Sequence, residues 1–435
     1  MVKNKRHILL VNLENKKKYV LNSHGYEFLK TIEQKSQSLP QILNILASKN
    51  IQWTKKILKF IDFLLQEKII DFTDDMASRV YLKTSFLDPP LERIFLELTQ
   101  NCNLNCRHCY LDAYSSWKGG NKNELNTRDI KRLVDLADKL GVWRFDLTGG
   151  EVFLREDLFE ILEYLNKKNM IVHIFTNGTL LDSKKIEKLS QIRNIHRIIL
   201  SLDGHNAALH DSIRRVSGSF EKTVTAIKQL EEKGMKTTIN VSISRYNYQF
   251  IPEMVEYLRK SFKAPFRLAP VLGTGRGKGF LKDIDKDVVI KEYIKQLQCM
   301  FDGNIINFIK FSPSYVPNLN TYCGIGEEFI FINSCGEIYL CPSLTIRESL
   351  ELRLGNIFED DLASIWLKNK TITNFRTIRC EGAKSCKYYQ KCLGGCRSRA
   401  FLNTNKIDGK DTLACKFFDR YSPPGGDRFG KKIQN

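Results

Sequence analysis

Three cysteines, Cys102, Cys106 and Cys109, stand in the stretch Cys102-Asn103-Leu104-Asn105-Cys106-Arg107-His108-Cys109-Tyr110, with the spacing Cys-x3-Cys-x2-Cys. Three thiolates this close can hold three irons of a four-iron cluster and leave the fourth iron without a protein ligand. An open iron can bind a substrate or cofactor, whereas a fully ligated cluster only passes electrons. Zinc would want four ligands, and its loops more often show paired Cys-x2-Cys knuckles. Three unrelated buried thiols are the bland alternative, but cysteines rarely cluster in this way by chance.

A second cysteine field lies downstream. Eight of the twelve cysteines follow residue 320: Cys323, Cys335, Cys341, Cys380, Cys386, Cys392, Cys396 and Cys415. The order is Cys323-x12-Gly336-x4-Cys341, then Cys386-x5-Cys392-x3-Cys396, then Cys415. A structural zinc region is the competing reading here. Cys299 reads most simply as a buried small apolar residue.

These loops need elements to hold them. Candidate strands are Ile94–Leu98, Arg144–Leu147, Ile171–Phe175, Arg197–Leu202, Thr237–Ile243 and Phe266–Ala269, separated by helix-period segments near 127–140, 156–168, 183–192, 219–233 and 251–262. Six strands alternating with helical segments over about 190 residues imply an α/β fold with a parallel sheet and right-handed crossovers. The first cysteine loop then follows the first strand, at the carboxyl end where such sheets place their sites. Thr148-Gly149-Gly150-Glu151 closes the second strand. Its paired glycines allow close backbone approach to a ligand, and its acid can take an ammonium group. Thr176-Asn177-Gly178-Thr179 ends the third strand and Ser201-Leu202-Asp203-Gly204 the fourth.

Residues 1–75 read as a separate module. A hairpin is expected from His7–Leu13 and Tyr19–Leu21, then helices over 24–34, after Pro40 and over 53–67, with Ile69-Ile70-Asp71 as a closing wing. That order is a winged-helix layout. Residues 76–92, ending Asp88-Pro89-Pro90, read as a linker.

The 435 residues allow two or three domains. No apolar run approaches the roughly 18 residues needed to span a bilayer. The run Ile8 to Val11 is too short for a secretory signal. A cytoplasmic protein is expected, and in that compartment twelve cysteines argue for metal rather than disulfides. The net charge of +19 is spread along the chain. It reads first as a lysine-rich solvated surface, and there is no basic-aromatic module typical of RNA binding. Neither a nucleic acid nor a membrane is expected as partner.

The first cysteine triad, with Tyr110 after it, resembles the signature of radical S-adenosylmethionine (SAM) enzymes. The resemblance implies a partial (β/α)6 barrel over residues 93–310 and a 4Fe-4S cluster on Cys102, Cys106 and Cys109. The open iron of that cluster would chelate the amino and carboxylate groups of SAM. Thr148–Glu151 resembles that family's Gly-Gly-Glu motif, with Val152 in place of the usual proline. The resemblance implies SAM contacts from Tyr110, Gly149, Gly150, Glu151, Asn177, Ser201 and Arg214. Gly273-Thr274-Gly275-Arg276-Gly277 lacks the spacing of a nucleotide-phosphate loop and reads as a substrate-side or SAM-side loop.

Residues 311–435 resemble the SPASM domain, which holds one or two auxiliary iron–sulfur clusters. Where that pattern usually has a cysteine, position 383 is Ala383, and Cys380 is expected to fill the vacant place. The resemblance implies one cluster on Cys323, Cys341 and Cys396, with Cys335 as candidate fourth ligand. It implies another on Cys380, Cys386, Cys392 and Cys415. The N-terminal module resembles the PqqD-like element that captures leader peptides by adding a strand to a sheet edge; DNA binding and a structural role are its alternatives. Together these imply a ribosomal-peptide maturase whose partners are a precursor peptide with a leader and an electron donor such as flavodoxin or ferredoxin. The implied reaction is an oxidative thioether or carbon–carbon crosslink. Epimerisation, sulfatase-maturase-like formylglycine formation and a cluster-based sensor are the other readings.

Overall fold

The computed structural model describes residues 7–11, 18–21, 25, 29, 55–66, 83–85, 87–113, 123–271, 273–277, 324–345 and 352–421. Strand β1 (His7–Val11) pairs antiparallel with β2 (Lys18–Leu21), giving the expected hairpin. Helix α1 spans Lys55–Gln66. Of the expected helix over 24–34, Gly25 and Leu29 are described, both helical. The segment after Pro40 and the wing at Ile69-Ile70-Asp71 lie outside the described residues. One expectation is corrected. The stretch 76–92 is not wholly a linker, because β3 (Lys83–Ser85) pairs with the free side of β1 and sets the strand order β2-β1-β3. Lys-Thr-Ser has no strand pattern of its own, and its partner imposes the conformation.

The central sheet follows. Strands β4 (Arg93–Glu97), β5 (Arg144–Thr148), β6 (Ile171–Thr176), β7 (Ile195–Ser201), β8 (Thr237–Ile243) and β9 (Phe266–Pro270) pair parallel in chain order. Between them run α2 (Thr127–Leu140), α3 (Leu158–Lys167), α4 (Ser183–Gln191), α5 (Ala207–Arg214), α6 (Ser219–Glu232) and α7 (Ile251–Ser261). This is the expected α/β architecture. Helix α5 is the addition that periodicity did not reveal.

Local chemistry explains the elements. In α2, Ile130, Leu133, Val134 and Ala137 recur at helical spacing and are buried. Asn126 caps its start by accepting from Asp129 N, and Gly141 ends it with φ +81°. Asp211 of α5 caps α6 by accepting from Gly218 N at 2.7 Å, Ser219 Oγ at 2.6 Å and Phe220 N at 2.9 Å. The strands alternate: Ile94 and Leu96 are fully buried toward the helices, while Phe95 meets Phe175 and Phe331 at ring-centroid distances of 5.1 and 6.3 Å on the other face. Nearer the strands' amino ends, buried Asp146 takes Arg144 at 2.9 Å, His173 at 3.3 Å and Arg93 at 3.4 Å. Burial raises the Asp146 carboxyl, but these neighbours hold it far below the ordinary range.

The sheet continues into the C-terminal region. Strand β10 (Phe329–Ile332) pairs parallel with β4 on the edge opposite β5. Strands β11 (Glu337–Tyr339) and β12 (Arg353–Asn356) extend it antiparallel to nine strands. Helices α8 (Leu362–Lys368), α9 (Lys370–Thr377), α10 (Tyr389–Cys392), α11 (Arg397–Thr404) and α12 (Thr412–Tyr421) follow. Fully buried Trp366 donates from Nε1 to Pro89 O at 2.6 Å and ties α8 to the segment entering β4. No helix among the described residues is long and apolar enough to cross a membrane.

Glu97, at the carboxyl end of β4, accepts from Ser334 Oγ at 2.8 Å and so joins β4 to the β10–β11 turn. Burial pushes its carboxyl up to about 7, with the Ser334 bonds pulling the other way. The folded chain therefore keeps a proton that the unfolded chain releases near the ordinary value of 4.5. The cost to stability grows between those two values and is constant above them. Glu97→Gln removes that cost, so its thermal stability should exceed the wild type's at about pH 8 by up to roughly 3 kcal/mol and match it near pH 4. Melting curves at both pH values check this, and a gain equal at both contradicts it.

Candidate active site and cluster centres

The first cysteine loop leaves the carboxyl end of β4 and lies between the ends of β5, β6 and β7. Backbone bonds fix its entry: Leu98 N to Thr148 O at 2.8 Å, Gly150 N to Thr99 O at 2.7 Å and Glu151 N to Asn101 O at 2.8 Å. The paired glycines make this seam possible. A Cβ on Gly149, where φ is +157°, would fall 2.4 Å from Thr99 O, and one on Gly150 would fall 2.1 Å from Asn101 O. The close approach they permit is thus to the chain's own cysteine loop.

Glu151 is fully buried. Its carboxylate accepts from Thr176 Oγ1 at 2.7 Å, Asn177 N at 2.7 Å and Phe153 N at 3.2 Å. Burial pushes its pKa up against these bonds. The group therefore orders the loop after β6. That loop reaches the cysteines in turn: Asn177 Nδ2 donates to Asn103 Oδ1 at 2.9 Å, and Asn103 Nδ2 donates to Thr179 Oγ1 at 2.8 Å.

Asp203 is the hub on the β7 side, and it is fully buried. Its Oδ1 accepts from Ser242 N at 2.8 Å. Its Oδ2 lies 2.7 Å from Arg214 Nη2 and 3.4 Å from His108 Nε2. Burial raises the carboxyl, but Arg214 leads the neighbours that hold it below its ordinary range. Burial lowers His108 to about 4 despite Asp203, so the imidazole is neutral at physiological pH. Arg214 is buried, not a surface arginine, and its Nη1 lies 3.5 Å from Cys106 Sγ. The end of α5 also grips the loop through Asn105 N to Arg214 O at 3.2 Å and Arg107 N to Ile213 O at 2.9 Å. Ser201 ends β7, half-buried beside its register partner Asn240. Tyr110 is half-buried, its hydroxyl bonded to Thr148, and burial raises its pKa.

These residues suit the groups the sequence implies. Each of the three sulfurs accepts an N–H: Cys102 from Leu104 N at 3.4 Å, Cys109 from Ala113 N at 3.4 Å and Cys106 from Arg214. Such bonds to sulfur tune iron–sulfur sites. Burial pushes the Cys102 thiol up to about 12, so a metal must displace its proton. Around the triad, Asn101 Oδ1, Asn105 Oδ1, His108 Nδ1, Arg214 Nε and Thr274 Oγ1 are buried without a hydrogen-bond partner. Buried polar atoms left open in this way suit a polar ligand such as SAM.

In the second field, Cys323 lies outside the described residues. The turn after buried Cys341 meets α11, where Ser398 Oγ donates to Ser343 O at 3.2 Å two residues past Cys396. Cys396 N donates to Asp411 Oδ2 at 2.7 Å. Cys380, Cys392 and Cys415 gather nearby: a Cβ on Gly394 would meet Cys380 Cβ at 3.1 Å, and Asp411 and Cys415 add to the burial that drives Cys392 up to about 12. Cys386 is exposed. Cys335 sits in the β10–β11 turn, and Glu97, Glu337 and Glu124 act on it electrostatically.

The sequence reading missed Asp203, Asn103, Arg276 and the buried Arg399–Asp411 pair, whose closest contact is 2.7 Å. Asp203 and Asn103 stood inside loops already singled out, but short polar residues there read equally well as turn formers. Nothing local marks Asp411.

A parallel barrel sheet with a cysteine triad over its carboxyl end defines a SAM-cleaving class of iron–sulfur enzyme. The Radical SAM superfamily model matches residues 96–258, and the SPASM model, an iron-sulfur cluster-binding domain, matches residues 323–397. The chain belongs to the radical SAM superfamily and carries a SPASM region, and its cofactors are SAM and iron–sulfur clusters. It is 30% identical over 364 residues to the antilisterial bacteriocin subtilosin biosynthesis protein AlbA of Bacillus subtilis, covering 80% of this chain and 77% of AlbA. It is 25% identical over 362 residues to an AdoMet-dependent heme synthase of Oleidesulfovibrio alaskensis, covering 77% of this chain and 89% of the synthase. The fold is that of Streptococcus suis SuiB bound to precursor peptide SuiA, with a TM-score of 0.60 at 18% identity over 96% of this chain and 99% of SuiB.

Gly150→Ala should drive a methyl group into Asn101 O. The expected result is a loss of roughly 1–3 kcal/mol in stability and of most iron that responds spectroscopically to SAM. Iron analysis and calorimetry check this, and wild-type values in both contradict it.

Proposed function

We propose that this radical SAM enzyme modifies a ribosomally made precursor peptide, installing an oxidative crosslink of thioether or carbon–carbon type. The observation that carries the peptide substrate is the 30% identity to AlbA over 80% of the chain. The N-terminal sheet supports it. Among the described residues, β2 and β3 are its edge strands, and an edge strand can receive an extended leader by backbone pairing.

In this reading Cys102, Cys106 and Cys109 hold the SAM-site cluster. Tyr110, Gly149, Gly150, Glu151, Asn177, Ser201 and Arg214 line or order the SAM pocket. Cys323, Cys341 and Cys396, with Cys335 as candidate fourth, and Cys380, Cys386, Cys392 and Cys415 hold the auxiliary clusters. When bound, the clusters would supply one electron for the reductive cleavage of SAM and a sink for the electron the substrate gives up. The chain's own groups do the placing. Glu151 fixes the β6 loop against Asn103. Asp203 holds Arg214 over Cys106 and keeps its charge compensated. Neutral His108 offers an unprotonated ring nitrogen. A flavodoxin or ferredoxin would deliver the first electron.

The test is anaerobic reconstitution with SAM and a reductant, followed by mass analysis of a precursor peptide encoded beside the gene. The expected result is 5′-deoxyadenosine and a peptide lighter by two hydrogens, one leaving as a hydrogen atom and one as a proton with its electron. An unchanged mass with an inverted stereocentre replaces crosslinking by epimerisation. Turnover of a heme precursor with no change in any peptide would favour the other relative's chemistry and overturn the reading.

A further inference from the structure

The glycine-rich loop after β9 reaches back across the barrel to the first cysteines. Arg276 donates its backbone N–H to Cys109 O at 2.9 Å and Nε to Cys106 O at 2.8 Å. Its Nη1 lies 3.1 Å from Asp112 Oδ1. One residue thus touches the cysteine loop at three places, spanning its last two cysteines. Gly275 makes the approach possible. It adopts φ +56°, and a Cβ there would fall 2.3 Å from Cys109 O and 2.6 Å from Tyr110 O. Arg214 meets Cys106 from α5, at its sulfur, so two guanidinium groups address the same cysteine from different elements.

A cysteine loop without regular structure must hold its sulfurs in one arrangement, with or without metal. A carbonyl held by a guanidinium, as Cys106 O is, or by a backbone N–H, as Cys109 O is, cannot rotate freely, and peptide orientation sets where Cβ and Sγ point. A permanent cation beside the thiolates also favours extra negative charge on whatever they bind.

We propose that Arg276 is a positioning residue for the SAM-site cluster. Its guanidinium clasps the loop by Cys106 O and Asp112, beside its own backbone bond to Cys109 O, and it holds the cluster's reduction potential up through its charge. The proposal rests on the assignment of Cys102, Cys106 and Cys109 as cluster ligands. Lysine would keep the charge but not the fork that reaches Cys106 O and Asp112 together.

The test compares full-length wild type, Arg276→Lys and Arg276→Gln, each reconstituted anaerobically. Three quantities are read: the rate of iron loss to a ferrous chelator, the midpoint potential of the SAM-responsive cluster, and the fold by far-ultraviolet circular dichroism. Both variants should lose SAM-responsive iron about tenfold faster than wild type. Arg276→Gln should also show a more negative midpoint potential, while Arg276→Lys stays near wild type. Asp112→Asn, which weakens the clasp from its other end and leaves the guanidinium charge uncompensated, should speed iron loss with a potential at or above that of wild type. Wild-type iron retention and potential in both Arg276 variants would overturn the proposal. So would a loss of overall fold in both variants together with wild-type iron retention in Asp112→Asn. A wild-type chain without SAM-responsive iron would instead remove the cysteine assignment, and the clasp with it.

Discussion

The cysteine loop has no regular structure of its own, so its shape is borrowed from the strand ends around it. Residues 101–113 form no helix or strand. Their backbone is pinned by Glu151 N at Asn101, by the end of α5 at Asn105 and Arg107, and by Arg276 at Cys109. Unpaired backbone groups are costly where a loop is partly buried, so these bonds determine its conformation. The glycine pair after β5 matters because it lets two backbones meet where any side chain would separate them. The parallel sheet matters because it brings the ends of β4 to β7 to one rim.

Electrostatics sets a second constraint on the same rim. Buried Asp203 and buried Arg214 compensate each other at 2.7 Å, and removing either would leave a charge with no solvent to relieve it. The pair leaves part of the guanidinium for Cys106 and holds His108 within reach of a carboxylate while burial keeps it neutral. In the C-terminal region the Arg399–Asp411 pair has the same form. Asp411 also accepts the N–H of Cys396 and stands behind the close packing at Gly395, where a Cβ would fall 2.5 Å from its carboxylate. Both cysteine fields are thus anchored by a buried aspartate–arginine pair, remote from its thiols in sequence in the first field and within four residues of them in the second.

The parallel core was legible because its strands are apolar runs bounded by turn residues, and α2 to α4 carry one buried stripe each. Helix α5 escaped because Ala207–Arg214 is short and places polar His210 and Arg214 on buried positions, with half-buried Asp211 beside them. Strand β3 escaped because pairing alone makes it a strand. The cysteines announced themselves by type and spacing. Their partners did not, since an aspartate in a turn and an arginine in a glycine-rich loop look alike whether they face water or a cluster. The glycines of Gly149-Gly150 were recognised as sites of close approach, but what approaches them is visible only in three dimensions.

The chemistry of this site depends on an iron at the Cys102–Cys109 loop that no side chain completes and that SAM therefore reaches. The most direct measurement is the electron–nuclear hyperfine spectrum of the anaerobically reduced protein with SAM labelled at its amino nitrogen and carboxylate oxygen. Resolved couplings from both labels to the cluster spin are expected, absent when Cys102, Cys106 and Cys109 are all replaced by alanine. A reduced cluster on the wild-type loop showing no coupling to either label, with SAM bound, would contradict this.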